Sequence, residues 1–180
     1  MVLPRIHRPS DYPSFLLYFL DQAHATVTAG TAAVILYTRS AHAVWFALGA
    51  VASTLMAKVA KKLIREPRPD TPDAVKEKKT YGMPSSHATA LSYYFCYLLP
   101  LLPLASGATW AERAALTATA GAIIWSRVEL GYHTVPQVLG GAVVGAAGAA
   151  GWSALWDAVP EIQSGIQAAI DATLRVVWPQ

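Results

Sequence analysis

Five apolar stretches, each broken off by proline or charged residues, restrict this sequence to very few folds. They run over residues 14–38, 42–60, 88–104, 111–125 and 136–156. A helix that crosses a bilayer needs ~20 consecutive apolar residues, and these stretches have that length or nearly so. The first contains Asp21 and His24, and the third ends at Pro100 and Pro103. Charged residues make up 14% of the 180-residue chain, against about 25% in ordinary soluble domains. The expected fold is therefore all-α, a polytopic membrane bundle of about five spans. A compact soluble all-α domain is the competing reading. The formal net charge of +3 raises nucleic acid as a partner. The basic residues lie mostly in one loop region, without interleaved aromatics, so no nucleic-acid partner is expected.

The fifth stretch holds Gly140, Gly141, Gly145, Gly148 and Gly151 among alanines. In water each glycine would weaken a helix by up to ~1 kcal/mol. In lipid, small residues let helices approach closely, and Gly141 with Gly145 forms a GxxxG pair. Beyond it, Ile162, Ile166, Ile170, Leu174 and Val177 recur at helical spacing, opposite Gln163, Gln167, Asp171 and Arg175. This tail is expected to be an amphipathic helix lying on the membrane or on the bundle. The expected division is a membrane domain over 14–156 and an amphipathic C-terminal tail over 157–180. Residues 65–82 form the one polar insertion. Cys96 is a single cysteine in an apolar run, so no intrachain disulfide arises. Charged and proline residues near the start (Pro4, Arg5, His7, Arg8, Asp11) argue against a cleavable signal peptide.

Three polar clusters sit at the edges of these stretches. The first, KLIREPRP, carries Lys61, Arg68 and Pro69. Pro67 and Pro69 end the helix and leave Arg68 on a stiff extended turn. There its guanidinium can fork onto two phosphate oxygens, while Lys61 acts as a mobile point charge. Lys58, Lys62 and Arg65 read as an ordinary basic membrane flank. The second cluster, YGMPSSH, reads as a helix start capped by Ser85 or Ser86, with His87 in the first turn. Such a terminus favours an anion. In the third, SRVELGYHTVPQ, Arg127 closes one helix and His133 opens the next.

With spans at the stated positions, all three clusters fall on one side of the bilayer. Three cations and two imidazoles then converge, a set able to hold a phosphate, attack it and protonate its leaving group. Metal binding fits poorly, because His7, His24, His42, His87 and His133 lack paired ligand spacing. A serine hydrolase fits poorly as well, since no GxSxG elbow is present. The cations would balance charge on a transferring phosphoryl group, so neither a metal nor another cofactor is expected.

These clusters resemble the type 2 phosphatidic acid phosphatase superfamily, which includes lipid phosphatases and vanadium haloperoxidases. Its pattern is K-x6-RP, PSGH and SR-x5-H-x3-D. Here stand Lys61-x6-Arg68-Pro69, Pro84-Ser85-Ser86-His87 and Ser126-Arg127-x5-His133. The resemblance covers roughly residues 16–156 and implies a haloperoxidase-like helical core. It also implies that His133 becomes phosphohistidine and that His87 protonates the leaving oxygen. Lys61, Arg68, Ser85, Ser86 and Arg127 would bind phosphate. Ser86 replaces the usual glycine, and Gln137 replaces the aspartate that orients the nucleophilic histidine. Glutamine can accept the imidazole hydrogen bond, but without charge.

Both departures look like the dolichyl-diphosphatase branch and its plant plastid relatives. Ala88, Thr89 and Ala90 follow His87 where that branch typically has Ser, Gln and Phe. The implied partner is a lipid phosphate in the bilayer, best dolichyl diphosphate in lipid-carrier recycling for N-glycosylation. Phosphatidic acid or another lipid monophosphate is the alternative, and a catalytically silent lipid-binding or scaffold protein is the alternative of another class. The branch acts on the lumenal face of the endoplasmic reticulum, and a plastid or other membrane is the alternative. The positive-inside rule, by contrast, would put the basic side in the cytoplasm.

Overall fold

Why the apolar stretches become helices is visible at their ends. In the computed structural model, which describes residues 8–70, 80–102 and 107–177, each stretch is helical and no strand occurs among the described residues. Helix α1 spans Phe15–Asp21, α2 Ala23–Thr38, α3 Ala41–Ile64, α4 Ser86–Leu98, α5 Gly107–Glu129, α6 Val135–Ala158 and α7 Pro160–Val177. The Ser14 side chain caps α1 by accepting from the Leu17 N–H. Ser85 caps α4, and Thr134 caps α6 with Pro136 in the first turn. Arg65, at φ 55°, closes α3 in the left-handed conformation.

Two boundaries differ from expectation. The first apolar stretch is two helices meeting at Gln22, because α1 packs against α5 while α2 packs against α3. Helix α5, at 23 residues, is longer than the fourth apolar stretch, because it begins at Gly107 and, past the Arg127 expected to close it, runs on to Glu129. Among the described residues, two helices, α3 and α6, are by themselves long and apolar enough to cross a membrane. Residues 71–79 of the polar insertion lie outside the described residues.

Helices α4 and α6 make the closest pair. A Cβ on Gly145 would stand 2.2 Å from the Thr89 carbonyl, and one on Gly141 would stand 2.5 Å from the Ser85 carbonyl. The GxxxG pair therefore sets this contact, as small residues do between membrane helices. At the far end of α3 and α6, Trp45 and Trp152 stack with centroids 4.4 Å apart. Each indole N–H donates to the other residue's carbonyl, at 3.1 and 2.9 Å. Phe46, Tyr93 and Tyr97 complete that core.

Helix α7 lies on the bundle at this same end. Ile162 and Ile166 pack on the tryptophan core, and Gln167 bonds Ala41 N–H and the Arg39 carbonyl. Twenty-four residues at ~1.5 Å each put it about 35 Å from the other end, where the polar clusters sit. Many large apolar side chains on the outer surface are exposed, among them Leu55, Val59, Leu139 and Val143. A bilayer would cover such a surface.

Candidate active site

The C-terminal ends of α3 and α5 and the N-terminal ends of α4 and α6 meet at one end of the bundle. The three clusters are joined there by direct bonds. Lys61, in the last turn of α3, is buried and donates from Nζ to the carbonyls of Tyr81 and Gly82, at 2.9 and 3.2 Å. Past the α3 cap, Arg68 lies on an extended segment between two prolines. Its Nε donates to the Thr80 carbonyl at 2.8 Å and its Nη2 to Thr80 Oγ1 at 3.1 Å. Nη1 reaches the Tyr132 carbonyl and comes within 3.0 Å of His133 Nε2. Burial holds the Arg68 guanidinium below its ordinary pKa.

His133 sits in the turn between α5 and α6 and is 4% exposed. Its tautomer follows from the residue beneath it. Gln137 is completely buried and donates from Nε2 to Glu66 Oε1 and to the Pro67 carbonyl, both at 2.8 Å. Its Oε1 accepts the Thr134 N–H at 3.3 Å. Those neighbours fix which end of the amide is oxygen. That oxygen lies 3.1 Å from His133 Nδ1, so Nδ1 carries the proton and Nε2 keeps its lone pair. Burial, then the charges of Arg68, Lys61 and His87, push the imidazole down to about 3, against a smaller opposing effect of Gln137.

On α4, Ser85 is fully buried and is the N-cap, and its backbone N–H donates to the Gln137 carbonyl at 2.9 Å. Ser86 and His87 open the helix beside it. The positive ends of α4 and α6 thus both face this site. His87 also meets His24 of α2 edge to face, with centroids 6.2 Å apart. From His87 an apolar cleft of about 640 Å³ runs between α2, α3 and α4, past Val27, Leu91 and Tyr94.

Arg127 is 1% exposed, and one of its partners, Asp21, lies outside the sequence motifs. Its Nη1 donates to Asp21 Oδ1 at 2.6 Å, and its Nε and Nη2 donate to Ser126 Oγ at 3.2 and 2.9 Å. Tyr12 donates to the other Asp21 oxygen at 2.6 Å. Burial and that carboxylate hold the Tyr12 phenol well above its ordinary pKa. Sequence reasoning thus missed Asp21, Tyr12, Thr80, Glu66 and His24. Only Glu66 had a signal, its place inside the EPRP run. His42 lies at the far end, bonded to the Tyr97 hydroxyl and stacked on Trp156.

An all-helical bundle with this set of cations and imidazoles at one end defines a membrane phosphatase. Residues 42–160 match the model of the PAP2 superfamily, and the chain belongs to that superfamily. It is similar to human dolichyldiphosphatase 1, 29% identical over 164 residues that cover 84% of this chain and 69% of that one. Dolichyldiphosphatase of Saccharomyces cerevisiae is 30% identical over 145 residues, 76% of this chain and 61% of that one. Lipid phosphate phosphatase gamma of Arabidopsis thaliana is 26% identical over 153 residues, 81% of this chain and 68% of that one. The fold resembles the crystal structure of a transmembrane PAP2 type phosphatidylglycerolphosphate phosphatase from Bacillus subtilis. That likeness has a TM-score of 0.60 at 23% identity, over 83% of this chain and 72% of that one.

Proposed function

We propose that this chain hydrolyses dolichyl diphosphate to dolichyl monophosphate and inorganic phosphate through a phosphohistidine. The observation that carries the reading is the His133 ring, held by Gln137 with its Nε2 lone pair beside the Arg68 guanidinium. The Nε2 lone pair attacks the terminal phosphorus, and the P–N bond forms as the P–O bond to the lipid monophosphate breaks. His87 gives its proton to the departing oxygen. Water then attacks the phosphohistidine, returns a proton to His87, and the P–N bond breaks to release phosphate. Lys61, Arg68, Arg127, Ser85 and the backbone at Ser86 hold the phosphoryl oxygens and spread their charge. The cleft that starts at His87 suits an apolar lipid chain.

Residues 14–156 form the phosphatase domain in this reading and 157–180 an amphipathic C-terminal tail. Five spans are formed by α1 with α2, then α3, α4, α5 and α6. Likeness to dolichyldiphosphatases supports the diphosphate substrate and a lumenal site in the endoplasmic reticulum. The deciding experiment compares dolichyl diphosphate with phosphatidic acid in one detergent assay containing a chelator. Faster release of phosphate from dolichyl diphosphate is expected. A preference for phosphatidic acid would replace the substrate. No release from any lipid phosphate would leave a lipid-binding or scaffold protein.

A further inference from the structure

The aspartate that orients the nucleophilic histidine in the resembled family is absent here, and Gln137 stands in its place. An amide alone can hold the imidazole but brings no negative charge. When His133 accepts a phosphoryl group at Nε2 and keeps its Nδ1 proton, the ring becomes cationic. A negative group near Nδ1 would favour that protonated ring over the neutral one.

Glu66 has the required geometry. Its Oε1 accepts from Gln137 Nε2 at 2.8 Å, and Gln137 Oε1 faces His133 Nδ1 at 3.1 Å. The three side chains form one line from carboxylate through amide to imidazole. Each member of the line has further partners. Glu66 is anchored through its own carbonyl, which accepts the Gly82 N–H at 2.8 Å. Pro67 and Pro69 stiffen the backbone on either side of Arg68. Gln137 is wholly buried, and its amide has partners on both ends. Gly82 leaves the room it needs, since a Cβ there would stand 2.3 Å from Gln137 Nε2. Nothing larger than glycine fits without moving the amide.

We infer that Glu66 is a positioning residue for the hydrolysis, supplying through the Gln137 amide the negative charge that a direct carboxylate would supply to His133. A carboxylate at one end of a hydrogen-bonded amide polarises the oxygen at the other. The amide oxygen is then a stronger acceptor for the Nδ1 proton, most of all when the ring is phosphorylated. Glu66 touches no reacting atom and acts only through Gln137. Its effect falls on the rate of phosphoryl transfer rather than on substrate binding. This inference rests on His133 as nucleophile.

The test uses the full chain in detergent, with whichever of dolichyl diphosphate and phosphatidic acid the wild type turns over. The variants are Glu66→Gln, Gln137→Glu and the double exchange of both. Glu66→Gln should lower kcat by about 10–100-fold, as loss of an outer partner of a functional histidine does, with KM nearly unchanged. Gln137→Glu should also be slow, because two carboxylates then face each other. The double exchange returns one carboxylate and one amide, now with the carboxylate on His133. The Pro67 carbonyl loses its Gln137 donor in both variants that carry Gln137→Glu, so the double exchange should be faster than Gln137→Glu. A residue that only shaped the local fold would instead lower the melting temperature and raise KM along with the loss of kcat. Unchanged kcat in Glu66→Gln, or a double exchange no faster than Gln137→Glu, overturns the inference. An active His133→Ala would instead overturn the nucleophile assignment beneath it, so the two failures are separable.

Discussion

Asp21 and Arg127, 106 residues apart, form an ion pair of 2.6 Å in which both side chains are almost fully buried. The pair ties α1 to α5 directly beneath the turn that carries His133. Arg127 is thereby fixed by its backbone, by Ser126 and by a carboxylate from the start of the chain. The carbonyl of Arg127 in turn accepts the N–H groups of Tyr132 and His133, at 3.1 and 3.2 Å. Position of the nucleophile and position of this guanidinium are thus linked.

Asp21→Asn should consequently do more harm than an exposed substitution. Removing one member of a buried pair leaves an uncompensated charge and typically costs ~3–5 kcal/mol. The expected result is a lower melting temperature in detergent together with reduced phosphatase activity. Tyr12→Phe, which removes one bond to the Asp21 carboxylate, should give a smaller loss of the same kind, about 1.5–3 kcal/mol. Melting curves of the two variants beside wild type check the order. Equal stability of all three would show that the pair contributes nothing.

Arg68→Lys should fail although charge is kept. The guanidinium serves Thr80, the Tyr132 carbonyl and His133 from three nitrogens. An ammonium cannot span those directions. A hydrogen bond involving a charged group is worth ~1.5–3 kcal/mol, so activity should fall at least about 10-fold. Steady-state kinetics of the variant decide this, and near-normal kcat/KM would sink it.

The pH dependence of stability should carry a signature of His133. Its imidazole is held near 3 in the folded chain, chiefly by burial, and an unfolded histidine titrates near 6.5. Between these values the unfolded chain binds more protons, so stability rises with pH there. The contribution is complete above about 6.5 and is lost as pH falls toward about 3. Melting temperature should therefore drop more steeply from pH 7 to pH 5 in wild type than in His133→Gln. Parallel curves for the two proteins would contradict this.

Gly145→Ala and Gly151→Ala separate packing from helix propensity. A Cβ at 145 would press on the Thr89 carbonyl, whereas at 151 it would meet nothing within 4 Å. The first should destabilise by ~1–3 kcal/mol, the usual cost of overpacking. The second should be neutral or slightly stabilising, since alanine is the better helix former. Thermal melts in one detergent compare them directly.

Much of this arrangement is written in local patterns. Apolar run length marks the helices, and the Pro67, Pro69 and Ser85 signals mark where α3 stops and α4 starts. The motif spacing names Lys61, Arg68, His87, Arg127 and His133, and all meet at one end of the bundle. Asp21 was not legible, because its partner lies far along the chain and its only local effect is to make an apolar run more polar. His24 belongs to no motif, and only the packing of α2 beside α4 brings it to His87. Glu66 was hidden differently. It stands between recognised residues, and its contact with Gln137 depends on how the segment after α3 meets the first turn of α6. Apolar run length alone stops the fourth stretch at 125, whereas the motif places Arg127 at the helix end, and α5 runs on to Glu129 because Ser126 and Arg127 are polar yet buried.

The orientation of the bundle yields the last prediction. If α1 with α2, α3, α4, α5 and α6 each cross the bilayer, the end of α3 and the end of α5 lie on one side. Asp70 and Glu129 are exposed at that side, and Thr38 is exposed at the other end of the bundle. In a chain whose Cys96 is replaced by alanine, cysteines at Asp70 and at Glu129 should react with a membrane-impermeant thiol reagent from the same face of sealed vesicles. A cysteine at Thr38 should react only from the opposite face. The lumenal reading further expects the first two to be labelled from the lumen in vesicles of endoplasmic reticulum. Labelling from the cytosolic face would reverse the orientation and follow the positive charge instead. Labelling of the Asp70 and Glu129 positions from opposite faces would break the five-span arrangement, because the site could not then assemble from α3 and α5 on one side.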